Sequence, residues 1–228
     1  MEKKILEKSN ELFLNLGFKS VTMDEIASAL GVSKKTIYKY FKNKTELVAA
    51  VTEYMFNTIC TGIDCILDSK MNPIEELFSI KKLVMEHLKD EKSSPQYQLQ
   101  KYYPKIFLSL KQKQFEVMQG CVIDNLKNGV ALGLYRNNLN YEFISRIYFN
   151  GVNSIKDKDI FPLENYSMVT LMNLYLEYHL RGICTPKGLK QLENQNDDTP
   201  FIQKKKEGLP TGICLILVTP DSERISVP

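Results

Sequence analysis

The most constraining stretch of this chain is Thr22 to Glu46, where three helix-start signals fall within twenty-five residues. Thr22-Met23-Asp24-Glu25 is a capping box: the Thr hydroxyl accepts from the third backbone amide while Glu25 reaches back to the cap. It opens a short helix with Ile26, Ala27 and Leu30 inward. Gly31 closes that helix after barely two turns, at a point where glycine most easily takes a positive φ. Val32 plugs the turn, and Ser33 caps a second helix from Lys34 to about Phe41. Asn43-Lys44-Thr45-Glu46 repeats the cap pattern and starts a long helix running to about Leu67. Two short helices joined by Gly-Val-Ser form a helix-turn-helix, a unit whose second helix enters the major groove.

Charge supports that reading only through its distribution. The formal net charge is +3. Residues 1–47 hold nine lysines against six acids, residues 48–185 fifteen charges of each sign, and residues 186–228 six of each. The excess therefore sits in the first fifth of the chain. There Lys34, Lys35, Lys39, Lys42 and Lys44 form an eleven-residue run without an acid. On its own such a run is more often just a solvated face. Placed on and just after a groove-reading helix, it suits phosphate, because each neutralised phosphate releases condensed counterions.

The rest of the chain reads as helix. Ile5, Leu6, Ser9, Leu12, Phe13 and Leu16 form an amphipathic stripe that Gly17 ends. Further helices are expected over 73–91, 95–101, 104–132, 140–153 and 164–182, separated by prolines, Gly133 and the Lys156–Pro162 segment. Residues 186–228 contain five of the nine prolines and lose helical periodicity, which suggests either a flexible or non-native tail or an added strand at Ile213–Val218. The expected domains are therefore 1–47, 48–185 and a tail over 186–228.

Several function classes are excluded by what is missing. No signal-peptide h-region follows the charged N-terminus, and Ile213–Val218 is too short to span a bilayer. Five scattered cysteines suit a reducing compartment, so a soluble cytoplasmic protein is expected. Cys60 and Cys65 lack zinc-site spacing, Cys121 and Cys184 read as buried apolar positions or a redox sensor, and His87 and His179 have no ligand-spaced neighbours. Gly129–Gly133 is neither a P-loop nor a dinucleotide loop. No catalytic motif is present, and no metal or cofactor is called for.

Thr22–Leu47, TMDEIASALGVSKKTIYKYFKNKTEL, resembles the signature of the TetR family of bacterial regulators: a cap-x-x-Glu-Ile-Ala opening, Gly-Val-Ser, Thr-Ile-Tyr-x-Tyr-Phe, then Lys-x-Glu-Leu. Lys35 departs from the small residue common there. The resemblance implies an all-α fold, a three-helix helix-turn-helix domain followed by a larger helical domain for effector binding and dimerisation. It implies a homodimer joined through the helices near 140–153 and 164–182, bound to a palindromic double-stranded DNA operator and released by a small effector. The expected DNA contacts are Thr22, Ser33, Lys34, Lys35, Thr36, Tyr38, Lys39, Tyr40 and Lys44, with Lys44 as a phosphate clamp. The aromatic and Met-rich second domain suits an apolar or aromatic effector, with Tyr97, Tyr102, Tyr103, Phe107 and Met118 as candidate contacts. Two rivals stay open: a protein of the same fold regulated by a protein partner, and a helical ligand-binding or enzymatic protein whose basic helix only meets solvent.

Overall fold

A computed structural model of the chain describes residues 1–88, 95–157, 159–162 and 164–196. The described residues form ten helices: α1 (Glu2–Leu16), α2 (Met23–Leu30), α3 (Lys34–Tyr38), α4 (Lys44–Asp68), α5 (Pro73–Leu88), α6 (Pro95–Tyr102), α7 (Pro104–Ala131), α8 (Tyr141–Ser154), α9 (Met168–Ile183) and α10 (Pro186–Asn196). The sequence boundaries agree within a few residues, because caps and prolines mark most helix ends.

The apolar faces of α1 to α3 and the first turns of α4 close on one core, in which Ile5, Ile26, Ile37 and Leu47 are fully buried. Each such side chain contributes about 2 kcal/mol relative to exposure in water. Gly17 ends α1 at φ +86°, and Phe18 turns back so that its ring lies 4.9 Å from that of Phe13.

This core does not stop at residue 47. Val48 and Val51 of α4 are buried in it, as is Leu99 of α6, and the N-terminal half of α7 packs against it through Ile106, Phe107 and Leu110. The boundary expected at 47/48 thus falls inside helix α4, whose first two turns belong to the N-terminal core.

The larger domain packs α5, α7, α8, α9 and α10 around Ile74, Leu126, Leu176 and Leu180. Its interior holds a polar lock. Asn125 of α7 donates to the Pro73 carbonyl at 2.8 Å and to Glu76 Oε1 at 2.7 Å, while the Tyr135 hydroxyl donates to Asn125 Oδ1 at 3.1 Å. Gly129 is needed here because the Tyr135 ring lies directly against the helix backbone, where any Cβ would collide with it. A short antiparallel bridge then ties the α7–α8 loop to the end of α9: Arg136 N–H donates to Ile183 O and Thr185 N–H to Leu134 O, each at 2.9 Å.

One sequence expectation needs correction. The tail was placed from residue 186, but Pro186–Asn196 is helix α10, with Leu192 fully buried against the larger core. Thr185 supplies the physical reason: its hydroxyl accepts from the Gly188 amide and its carbonyl from Leu189, so the helix is capped by a residue just before the expected tail. The candidate strand at 213–218, and the tail beyond 196, lie outside the described residues.

Candidate nucleic-acid interface

The capping box at Thr22 is complete: Glu25 N–H donates to Thr22 Oγ1 at 3.2 Å, and Thr22 N–H donates to Glu25 Oε2 at 2.6 Å. Gly31 sits at φ +65°, ψ +30°, the left-handed conformation that turns the chain sharply from α2 into α3. Ser33 Oγ then accepts from Thr36 N–H at 3.2 Å and lies 2.9 Å from Thr36 Oγ1. Asn43 Oδ1 accepts from Glu46 N–H at 2.9 Å. Sequence-local caps therefore orient all three helices that surround the recognition segment.

The recognition helix is shorter than periodicity suggests. Regular helix ends at Tyr38, and the next turn tightens, with Tyr40 N–H donating to Ile37 O at 2.9 Å and Phe41 N–H to the same carbonyl at 3.0 Å. Ile37 and Phe41 are buried, which leaves Lys34, Lys35, Tyr38, Lys39 and Tyr40 exposed and Thr36 half-buried on the outer side. Seven of the nine candidate DNA contacts thus lie on one short stretch, with Thr22 and Lys44 at the adjoining N-termini of α2 and α4.

Their electrostatic states differ. Lys35 and Lys39 are exposed and form no ion pair among the described residues. Lys34 donates to Asp24 Oδ2 at 2.6 Å, a hydrogen bond that raises its pKa above the ordinary lysine value. Lys44 is half-buried and donates to the Lys19 carbonyl at 3.2 Å; burial lowers its pKa, with Glu25 pulling weakly the other way. The Thr22 hydroxyl is engaged by Glu25 Oε2 at 3.0 Å.

The five aromatic and Met candidates for an effector site are not brought together. Tyr103 and Phe107 pack against the N-terminal core, the Tyr103 ring lying 6.2 Å edge-on from Phe18. Tyr97 and Tyr102 are exposed on α6, with the Lys101 ammonium 5.6 Å and 5.7 Å from their rings. Met118 lies three turns further along α7, between the two clusters of the larger domain. A proline break concentrates aromatics at a helix junction, and here the junction serves as an interdomain joint.

That joint involves residues the sequence did not flag. Gln98 Oε1 accepts from Lys19 N–H at 3.1 Å, and the Lys19 ammonium stands 5.4 Å from the Tyr102 ring centre. The link from α6 to the α1–α2 turn spans 79 residues, and no local pattern encodes it.

Among the described residues no group of three or more side chains could hold a metal ion, and no helix is long and apolar enough to cross a membrane. A compact three-helix unit presenting a lysine- and tyrosine-bearing recognition helix defines a helix-turn-helix DNA-binding protein.

Comparison with known proteins specifies the kind. Residues 5–51 match the family model of bacterial regulatory proteins, tetR family. The HTH-type transcriptional regulator YvaF of Bacillus subtilis is 26% identical over 166 residues, covering 72% of this chain and 85% of YvaF. The HTH-type transcriptional repressor KstR2 of Mycolicibacterium smegmatis is 24% identical over 148 residues, 63% of this chain and 71% of the repressor. Among solved structures, SmeT, the repressor of the Stenotrophomonas maltophilia multidrug efflux pump SmeDEF, superposes with a TM-score of 0.63 at 17% identity, covering 82% of this chain and 91% of SmeT. Residues 5–51 thus match the DNA-binding domain of the tetR family, and the chain is similar to helix-turn-helix transcriptional regulators.

Proposed function

We propose that this regulator is a homodimeric repressor that binds a palindromic operator and releases it when a small effector occupies the larger domain. The observation that carries the dimer is an unpartnered apolar face on α8 and α9. Phe143 and Ile147, one turn apart on α8, are 62% and 50% exposed; Leu174 and Tyr178, one turn apart on α9, are 53% and 76% exposed. A second copy related by a twofold axis would cover both pairs as a four-helix contact. One recognition helix buries too little surface for useful specificity, whereas two copies about 34–36 Å apart read adjacent turns of the duplex.

Within each half-site Lys35 and Lys39 carry unengaged charge toward phosphate or guanine, and the Thr36 methyl suits a thymine methyl. Tyr38 and Tyr40 flank them against the sugar-phosphate backbone, and Ser33 and Thr22 sit at helix N-termini where phosphate is favoured. Lys34 reaches phosphate by exchanging it for Asp24. The role proposed for Lys44 is narrower than a free clamp: its bond to the Lys19 carbonyl holds the α1–α2 turn, leaving two ammonium donors for a phosphate. Release follows if an effector favours an arrangement of α4 and α6 that changes the helix separation, since a ligand shifts an equilibrium only by its differential affinity.

The repressor sign rests on the relatives named as repressors. The deciding experiment is titration of the purified protein against its own upstream intergenic duplex at two salt concentrations. Two protomers per site, sequence-selective binding and a steep salt dependence support the reading. Absence of salt-sensitive binding to any duplex would overturn it.

A further inference from the structure

Lys81 lies midway along α5 with its ammonium turned into the larger domain. It donates to Asn173 Oδ1 of α9 at 2.6 Å and stands 4.5 Å from the centre of the Phe78 ring. Neither partner is an anion, and no carboxylate among the described residues pairs with it. The lysines that do form ion pairs, such as Lys34 and Lys113, lie on the exposed surface. Burial lowers the Lys81 pKa, and no neighbouring charge raises it. A half-buried ammonium with two spare donors and no acid is costly to maintain for packing alone.

Its surroundings are apolar and adaptable. Met85 follows one turn later on α5, and Met118 of α7 and Tyr148 of α8 bridge the two core clusters. The Tyr148 ring lies 4.5 Å from the ring of buried His179, whose pKa is pulled down to about 4 by burial, so it stays neutral near pH 7. Neither the Tyr148 hydroxyl nor the His179 ring hydrogen-bonds to a described residue. The seam between α5, α7, α8 and α9 thus carries one cation, Lys81, and the partly buried Met85, Met118 and Tyr148 of the adjoining clusters.

We propose that this seam binds an amphipathic organic anion, its carboxylate or phosphate head on Lys81 and its apolar body along Met85, Met118 and Tyr148. Asn173 assists: its oxygen holds the lysine while its amide nitrogen remains free to donate to the same head. The thioethers accommodate apolar chains of varied shape. The assignment rests on the effector-released reading above and names the class of that effector.

The test is isothermal titration of the full-length protein with decanoate, decyl phosphate and decanol, which share an apolar chain and differ in head charge. At least one anion is expected to bind at least tenfold more tightly than decanol. Lys81→Met is expected to erase that tenfold advantage while changing decanol affinity less than twofold, and Lys81→Arg to retain it. The anion-versus-alcohol comparison on the wild-type chain stands even if a variant fails to fold. Decanol binding as tightly as both anions would overturn the anion assignment and leave an apolar effector site intact. An anion preference that survives Lys81→Met would remove Lys81 from the site. No binding of any of the three would overturn this proposal together with the apolar-effector reading, while operator binding is scored separately.

Discussion

The carboxylate of Asp24 holds the Lys34 ammonium at 2.6 Å, so a phosphate approaching α3 meets a lysine already engaged. Both side chains are well exposed, and such a pair adds little to stability. Its consequence is for DNA affinity. In Asp24→Ala the lysine no longer has to leave its carboxylate to meet phosphate, and duplex binding is expected to tighten. Lys39→Ala is expected to do the opposite, flattening the slope of log K against log salt by about 0.9, because Lys39 has no acid partner among the described residues. Fluorescence anisotropy of a labelled duplex across a salt series reads both. Equal slopes in wild type and Lys39→Ala would take Lys39 off the phosphate backbone.

Helix α3 is five residues long, too short to persist without its cap and its buried Ile37. Ser33→Ala removes the acceptor of the Thr36 amide, and a loss of about 1 kcal/mol in urea unfolding is expected, with weaker operator binding than that loss alone explains. In the larger domain, Glu76 joins α5 to α7 through Asn125. Burial raises its carboxyl pKa, against a smaller lowering from the Asn125 hydrogen bond. A carboxyl whose folded pKa is raised binds more protons folded than unfolded, so its ionisation opposes folding above that pKa. The penalty fades as pH falls through the raised value towards the ordinary 4.5. Glu76→Gln keeps the acceptor and drops the charge. It is expected to be more stable than wild type at pH 8, with the advantage shrinking towards pH 5 when urea midpoints are compared. A constant difference across that range would mean that Glu76 is not the titrating group.

At the scale of the whole molecule, the apolar pairs on α8 and α9 and the basic recognition helix lie in different domains, and α4 connects them. Under the proposed dimer, a charge at the centre of the α8–α9 face should abolish tight DNA binding without touching the recognition helix. Tyr178→Asp combined with Phe143→Asp is expected to sediment as a monomer, retain its helical circular dichroism, and bind operator at least a hundredfold more weakly. A variant still dimeric in analytical ultracentrifugation would place the interface elsewhere. Contacts join the two domains: Leu99 and Gln98 of α6 touch the N-terminal core and Lys19, while α7 runs from that core into the larger domain.

What the sequence determined was local. Thr22, Ser33 and Asn43 place helix starts by bonding amides three residues away, and Gly31 shapes the turn because its own φ is positive. What only the tertiary structure decided involved partners distant in the chain. Tyr103 and Phe107 pack against the N-terminal core, and the nearby Gln98–Lys19 bond spans 79 positions. α10 is part of the fold because Leu192 finds a core assembled from α5, α7 and α9. Lys81 gains its partner only from α9, which brings Asn173 from 92 residues away. Caps and turns are set by energies within a few residues, whereas burial of a charge or an aromatic depends on which distant surface arrives to cover it.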